Sequence, residues 1–476
     1  MTTDVSELLA AYPDDDSVRV NPAQQQLEEL MRGLAHRPVP TGAFRRAWAL
    51  SGLHANVAMA YLGYWVRGVF QSSEEKKRRL VDTHLRAAFK ILREMGYLRG
   101  AVMKLGQTIA NFPDVAPVQF VETLEKLHFE APPMHFSLLR EQVRSELGGD
   151  PEDIFASFET RAFAAASLGQ VHRAVLKSGE PVAIKIQYPG IGKTVRSDFR
   201  NLNRLMAPLR LTKDWESLKG MLDDVQRMVE LESDYEIEAR TQRKVRELFR
   251  EDDGIVIPRV YDQFSTPRIL TTEFIDGVHI QQFMRQNPSQ ELCDSFGAKI
   301  GRALARIYFA GKVMYTDIHP GNLVFVGDGR LGLLDFGAVR DFANEWEEMR
   351  LAWRAVAAGG NDWLEFISQA VGASSVDQLS VEQLKILEDH CNWCWEPYRK
   401  VGLFDFGNHE NFQTGFRLVG EAMRKRCTRG PNYSTAVNRF HFGSRAMLYR
   451  LRARVEMKAI NDEEMRVTGW SGAVKQ

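Results

Sequence analysis

The hydrophobic period of the chain changes at Phe155, and that change limits the fold more than any other feature. From Val81 to about Leu147 apolar residues recur at every third or fourth position, with breaks at Phe112-Pro113 and Pro132-Pro133, so this stretch is predicted to be helical. After Phe155 short β-branched and aromatic runs take over: Phe158–Phe163, Gln170–Leu176 and Val182–Gln187, the last two separated by the turn residues Ser178-Gly179. Helical spacing returns over Val195–Leu211 and Asp214–Arg250, and two more strands are predicted at Ile255–Tyr261 and Arg268–Phe274. Beyond the break Asp276-Gly277 the chain reads as helices to Val455, interrupted by a loop-strand unit at Val313–Phe336. A five-strand unit with inserted helices and then a mostly helical half predict an α+β chain of two lobes, in the order of a protein-kinase-like body. The expected divisions are a loosely ordered extension over 1–40, a helical N-terminal extension over 41–154, a smaller lobe over 155–275 and a helical lobe over 276–476.

Composition narrows the partners. Lys and Arg number 62 and so do Asp and Glu, so the chain has no basic excess with which to displace counterions from nucleic acid. Four cysteines, Cys293, Cys391, Cys394 and Cys427, are too few for a disulfide-stapled secreted scaffold and suit a reducing compartment, read here as the cytoplasm. The first forty residues lack the basic start and apolar run of a signal peptide, their first basic residue being Arg19. Ala47–Val66 contains no Asp, Glu, Lys or Arg and has the length of a bilayer span. It is Ala-rich, however, with His54 and Asn56 in its middle and small residues at Ala47, Ser51 and Ala55. A packed, partner-covered helix is the expectation, with Lys76-Lys77-Arg78-Arg79 as a solvated face or a peripheral contact with anionic lipid.

The residues that carry chemistry are those needed to handle a γ-phosphoryl group: a phosphate cover, a fixed cation, a carboxylate near the acceptor and metal ligands. In Val182-Ala183-Ile184-Lys185 the lysine points away from the face of Ile184 and Ile186, and within an apolar strand it needs a carboxylate or phosphate partner. That tetrapeptide alone fits a sheet-edge lysine equally well. Tyr315-Thr316-Asp317-Ile318-His319-Pro320-Gly321-Asn322 is more specific, because Asn322 follows Asp317 by the same five residues as in the H-R-D-x-x-x-x-N loop. Asp317 is then placed to orient or deprotonate an attacking hydroxyl, and Asn322 to offer its carbonyl oxygen to Mg²⁺. Asp335-Phe336-Gly337 ends an apolar strand thirteen residues later and sets Asp335 to bridge metal and phosphates. Two features depart from an ordinary protein kinase. The expected phosphate loop is Phe163-Ala164-Ala165-Ala166-Ser167-Leu168-Gly169, where methyl groups replace glycines and hold backbone N–H groups further from phosphate. No Ala-Pro-Glu follows Asp335; the chain runs into helical-looking Phe342–Ala357, so the segment that docks a peptide substrate is missing or very short. In the helix Asp214–Arg250, Asp234 and Glu238 are expected on one face with Glu232 nearby, either solvated or turned inward against cations.

Together these residues resemble the UbiB/AarF/ADCK (ABC1-type) atypical kinase-like family. The resemblance covers about Ala87 to Val455. It rests on Lys104-Leu105-Gly106-Gln107 (the family's KxGQ), the Ala-rich loop Ala164–Ser167, Lys185 followed by Gln187-Tyr188-Pro189, Glu232-x-Asp234-Tyr235-x-x-Glu238-Ala239, Asp317…Asn322 and Asp335-Phe336-Gly337. It implies that Lys185 pairs with Glu238 to position ATP or ADP, and that Lys104 pairs with Glu232. The KxGQ helices, with Gln107 and Asp234, would then plug the cleft where a peptide would lie. It further implies a nucleotide site drawn from Ala164, Ala165, Ala166, Ser167, Lys185, Glu238, Glu273, Asn322 and Asp335, with Asp317 and Lys185 catalytic and Asn322 and Asp335 on Mg²⁺. Family members support the biosynthesis or handling of isoprenoid quinones and related lipids and often behave as ATPases. The implied partners are therefore a nucleotide, a lipid or quinone precursor, a complex of biosynthetic enzymes, a membrane surface and a second copy of the chain. Thr316-Asp317-Ile318 stands where the family has Ala-Asp-Pro and is read as peripheral. The upstream glycine-rich helix of some members corresponds to Ala47–Val66, with most glycines replaced.

Two other functions compete. A small-molecule kinase of the aminoglycoside or choline type shares Asp317-x-His319-x-x-Asn322 and a strand-ending Asp335, but has no reason to carry Lys104–Gln107. A non-catalytic scaffold that binds nucleotide and a lipid or partner enzyme needs no turnover. Cys391-Asn392-Trp393-Cys394 lacks a second C-x-x-C and is read as structural, and His319 as a loop brace. Arg424-Lys425-Arg426 and Arg450–Arg454 are read as solvated faces.

Overall fold

A computed structural model of the chain describes residues 136–166, 168–189, 230–316, 318–346, 379–425, 427 and 433–469, with single positions at 219, 223 and 226. The helices expected before Phe136 and over Val195–Leu211 lie outside these residues, as does Ala47–Val66.

Helix α1, Phe136–Leu147, lays Leu139 and Val143 under the sheet that follows, and the short α2, Pro151–Ile154, starts on a proline whose missing N–H costs nothing there. The Asp150 carboxylate before it takes Arg140 at 3.0 Å and also binds Arg144, joining the two helices. Strands β1 (Ser157–Phe158), β2 (Ala164–Ala166), β3 (Gly169–Val175) and β4 (Pro181–Gln187) come next. Helix α3 (Tyr235–Arg246), β5 (Ile255–Val256) and β6 (Ile269–Glu273) complete this part. The sheet order is β1-β3-β4-β6, with β2 also paired to β3, all antiparallel. Ile184 and Ile186 of β4 are fully buried against Leu139 and Val143. Lys185 between them therefore points to the opposite face, as strand alternation requires.

Three expectations are corrected here. The run expected as one strand, Phe158–Phe163, keeps only Phe158 in β1, and strand resumes beyond it as β2, so that Ala164–Ala166 is paired strand and not loop. Ala166 opposes Gly169, so only two residues make the turn, and Ser167 among them lies outside the described residues. The strand expected over Ile255–Tyr261 shrinks to β5, which leaves this sheet and pairs in parallel with Leu331–Leu333 further on; only an isolated bridge, Val260 to Thr272, stays with β6. The helix expected across Asp214–Arg250 breaks at Ser233-Asp234. Asp234 caps the new helix α3, its side chain accepting from the Glu236 N–H at 3.0 Å, so Asp234 and Glu238 do not share a helix face.

Gly169 has a specific reason to be glycine. A Cβ there would stand 2.1 Å from the Ile186 carbonyl oxygen on β4, because the backbones meet closely where the hairpin turns. Gly169→Ala should lower stability by about 1–3 kcal/mol through this overlap. Thermal unfolding checks it: a melting temperature equal to wild type would show that the strands can part without cost.

The second part is built on α5. After the short helix α4 (Ile280–Arg285), α5 (Gln290–Phe309) begins at Ser289, whose hydroxyl accepts from the Leu292 N–H, and buries one face from Cys293 to Phe309. Strand β7 (Val313–Tyr315) leads to the hairpin β8 (Leu323–Phe325) and β9 (Leu331–Leu333), and β10 (Val339–Asp341) returns to pair with β7. Residues 342–346, expected as the start of a helix, form a short 3₁₀ turn at Ala343–Glu345. Helices α6 (Val381–Arg399), α7 (His409–Arg424), α8 (Tyr433–Arg450) and α9 (Met457–Val467) follow, with β11 (Phe404–Asp405) paired to β12 (Arg454–Val455). Buried Glu464 on α9 accepts from Arg306 Nε and Nη2 at 2.9 Å, and Arg306 also meets Asp253 at 2.6 Å. This network ties the last helix to α5 and to the loop before β5. Arg454 is exposed as expected and pairs there with Asp294, which accepts its Nη2 at 3.0 Å.

Candidate active site

The centre of the site is one cation held by two carboxylates that are far apart in sequence. Lys185 opposes Val171 on β3 and Leu270 on β6, in the middle of the sheet. Its Nζ donates to Glu238 Oε1 and Oε2 at 2.8 and 2.9 Å and to Asp335 Oδ2 at 3.0 Å, and it stands 5.0 Å over the Tyr235 ring. Helix α3 delivers Glu238 because the chain break fixes where that helix starts. Gln187, buried at the end of β4, donates to the Ser233 carbonyl at 2.8 Å, and the Tyr235 N–H donates to the Pro267 carbonyl at 3.0 Å. Asp234 then caps the helix, and Glu238 lies in its first turn, where the unpaired N–H groups favour negative charge.

The electrostatics follow from burial and from the excess of carboxylate. Burial works against the Lys185 charge, but Asp335 and Glu238 outweigh it and hold its pKa well above the usual lysine value. For Glu238, burial first and the charge of Asp335 second push the carboxyl up to about 7, against the pull of Lys185. Two carboxylates on one ammonium leave this pocket short of positive charge.

The opposite wall comes from the β8–β9 hairpin. Leu323 opposes Leu333, and the Leu334 N–H donates to the Asn322 carbonyl at 3.0 Å, so the register sets Asn322 opposite Leu334, the residue before Asp335. Asn322 ends a 3₁₀ turn, Pro320–Asn322, capped by His319, whose Nδ1 accepts from the Gly321 N–H at 3.1 Å. His319 is thus a brace, as expected. Asp335 Oδ1 accepts from the Gly337 N–H at 2.8 Å. A Cβ on Gly337 would lie 3.3 Å from Glu238 Oε2 and 3.6 Å from Glu232 Cγ, so this glycine lets the strand end approach the carboxylates. Buried Glu232 is therefore brought to the same pocket as Glu238 and Asp335.

Other expected residues are placed differently or lie outside the described set. Glu273 is three positions along β6 from Leu270, the residue opposite Lys185, so its side chain takes the other face. There its Oε2 accepts from the Arg259 N–H at 3.2 Å. Ala164 and Ala166 are in register with Val171 and Gly169, and Ala165 with Gln170. Lys104, Gln107, Ser167 and Asp317 lie outside the described residues. Thr316 is not peripheral: it is buried, and its hydroxyl donates to the Ala338 carbonyl at 2.7 Å. Cys391 and Cys394 are free on α6, their thiols raised by burial, Cys394 to about 12, which suits inert structural cysteines.

Sequence reasoning missed Gln187 as an anchor and an aromatic-cation group on the Lys185 face of the sheet. Arg173, two residues from Val171 and so on the Lys185 face, stacks over Phe274 at 4.2 Å and near the half-exposed Phe163. The signal was available: two aromatics flank predicted strands, and strand parity puts Arg173 on the lysine's face.

Among the described residues no group of three or more His, Cys, Asp or Glu is arranged to hold a metal ion alone, and no helix is long and apolar enough to cross a membrane. A family model described as the ABC1 atypical kinase-like domain matches residues 126–364. The atypical kinase COQ8B, mitochondrial, of Danio rerio is 28% identical over 468 residues, which are 94% of this chain and 73% of that protein. The AarF domain-containing protein kinase 1 of Mus musculus is 29% identical over 321 residues, 65% of this chain and 60% of that one. The fold is similar to that of Rv3197 from Mycobacterium tuberculosis, solved as a complex with erythromycin, at a TM-score of 0.56 and 26% identity, covering 83% of this chain and 98% of the other.

Proposed function

The chain belongs to the ABC1 atypical kinase-like family, and from that premise we propose that the cleft around Lys185 binds ATP or ADP with Mg²⁺ and activates the γ-phosphoryl group. The observation that carries this reading is the contact of Lys185 with both Glu238 and Asp335. A lysine fixed between these carboxylates is placed to exchange a contact for an α- or β-phosphate oxygen. The donors suit the metal. Asn322 and Asp335 each offer a hard oxygen, and the Asn322 backbone is bonded to Leu334 next to Asp335; two such donors are too few for an all-protein cage, which fits a cation that keeps waters and phosphate oxygens as its other ligands. The raised Glu238 marks a pocket short of positive charge. When bound, the cation supplies neutralisation of charge on the phosphate oxygens. Lys185 orients the phosphates, Glu238 holds Lys185, and Asp317 orients or deprotonates the attacking hydroxyl or water.

In this reading residues 155–275 form the lobe that carries Lys185 and residues 276–476 the lobe that carries Asp335. The KxGQ residues Lys104 and Gln107 meet Glu232 and Asp234 and cover the cleft. A covered cleft without a peptide-docking segment favours hydrolysis, or transfer to a small acceptor, in support of isoprenoid quinone or related lipid biosynthesis at a membrane surface.

The test is nucleotide binding by calorimetry with and without Mg²⁺, followed by ATP hydrolysis with anionic liposomes and quinone-precursor phenols. Mg²⁺ should tighten nucleotide binding, and Asp335→Asn should remove at least about tenfold of that gain. Equal affinity in wild type and variant would sink the assignment of the metal side. Binding without turnover under every condition would instead identify a nucleotide-binding scaffold.

A further inference from the structure

Behind Asp335 two adjacent hydroxyls grip the backbone on either side of Phe336-Gly337. Tyr315 Oη donates to the Asp335 carbonyl at 2.6 Å. Thr316 Oγ1 donates to the Ala338 carbonyl at 2.7 Å, and the Thr316 N–H reaches the same oxygen at 3.2 Å. Tyr315 and Thr316 are only 2% and 9% exposed, so both bonds are shielded from water. The Phe336 ring, 1% exposed, meets Tyr315 edge-on with centroids 5.6 Å apart.

These contacts leave the segment little freedom. Tyr315 opposes Val339 in the β7–β10 pair, and Thr316 extends that ladder by one residue to Ala338. Leu334 is bound at the other end through its N–H to Asn322. Between these points the Asp335 carboxylate has a fixed direction, Oδ1 to the Gly337 N–H and Oδ2 to Lys185. Side-chain rotation alone is opposed by the bonds to Gly337 and Lys185, and swinging the whole residue out of the cleft also turns the peptide that carries the Asp335 carbonyl and breaks the Tyr315 bond. Displacing the following turn breaks the Thr316 bond.

We propose that Tyr315 and Thr316 are positioning residues for the metal side of the site: their hydroxyls hold Asp335 aimed at Lys185 and at the bound cation. The proposal rests on the reading of Asp335 as a metal ligand. Both hydroxyls bond to backbone and act through Asp335. Thr316 stands where the sequence resemblance has alanine, a residue that keeps the N–H bond but cannot make the hydroxyl one, so this chain holds the segment by an additional contact.

The experiment measures the Mg²⁺ concentration that half-saturates nucleotide binding in wild type, Tyr315→Phe, Thr316→Val, Thr316→Ser and Asp335→Asn. Mg²⁺-free nucleotide affinity and thermal unfolding are measured on each. Tyr315→Phe and Thr316→Val should each raise the half-saturating Mg²⁺ about tenfold, the scale of losing a group that orients a metal ligand, while Mg²⁺-free affinity stays within about twofold. Thr316→Ser, which keeps the hydroxyl, should return to the wild-type value. If Asp335→Asn loses Mg²⁺ dependence but Thr316→Val keeps it, the positioning role is wrong and the site reading stands. If Asp335→Asn also keeps it, the site reading fails and the positioning role with it. A parallel fall of Mg²⁺-free affinity and melting temperature, not restored by serine, would reduce the hydroxyls to fold supports and overturn the proposal. Should Tyr315→Phe fail to fold, the Thr316 pair decides alone.

Discussion

Lys185→Met should weaken nucleotide binding by roughly 10- to 100-fold, the value of one or two hydrogen bonds to a charged phosphate. It should also destabilise the free protein, in a way that depends on pH. Methionine fills much of the lysine's volume but leaves Glu238 and Asp335 facing each other without the cation both contact. Removing one member of a buried ion pair costs about 3 kcal/mol when the remaining charge must stay ionised. The carboxylates avoid part of that cost by binding a proton. In the wild type Glu238 already moves from an ordinary 4.5 to about 7, so between those values the folded state holds more protons than the unfolded one, and stability falls as pH rises. Without Lys185 the attractive contribution is lost and the window extends upward. The difference in melting temperature between wild type and Lys185→Met should therefore be small near pH 6 and grow toward about pH 8. Melting curves across that range give the answer. A constant or shrinking difference would mean that the lysine does not neutralise these carboxylates.

Asp317→Asn should lower ATP turnover by about 100- to 10,000-fold while leaving nucleotide affinity within about threefold. The amide matches the carboxylate in size and still accepts a hydrogen bond, but it cannot take a proton from the attacking oxygen. The contrast with Lys185→Met matters more than either result alone, because one variant should lose binding and the other only chemistry. Calorimetry paired with a phosphate-release assay separates them. Turnover in Asp317→Asn equal to wild type would remove this residue from the mechanism and favour a scaffold that binds nucleotide without using it.

Much of the fold was legible because its signals are local. The switch from helical to strand spacing at Phe155 marks the sheet, and the turn residues Ser178-Gly179 mark a real hairpin between β3 and β4. The break at Ser233-Asp234 was not legible from period alone, since Glu230–Arg246 keeps a helical pattern through it. The chain turns there because Gln187 from β4 takes the Ser233 carbonyl, a contact 46 residues away in sequence. β5 was assigned to the wrong sheet for a similar reason. A two-residue apolar strand pairs where a partner edge is offered, and that edge is Leu331–Leu333.

At the site, Lys185, Asn322 and Asp335 could each be named from residue type and spacing, and Glu238 through the resemblance. Their number of partners could not. The sequence suggests one carboxylate for Lys185, whereas the folded chain supplies two, the second from 150 residues downstream. The resemblance implies Glu273 at the nucleotide site, and only the pairing register shows its side chain on the face opposite to Lys185. Thr316 looked incidental beside Asp317, because nothing local reveals that the Ala338 carbonyl returns to meet its hydroxyl.

The sequence by itself determined the switch from helix to strand at Phe155, the face on which Lys185 must lie and the oxygen donors offered at Asn322 and Asp335. These follow from side-chain period and from short motifs, which are properties of neighbours along the chain. Only the tertiary structure decided which carboxylates meet the lysine, how far Glu238 departs from an ordinary acid and what holds Asp335 in place. Those depend on burial and on charges and carbonyls brought together from distant segments, which no local pattern encodes.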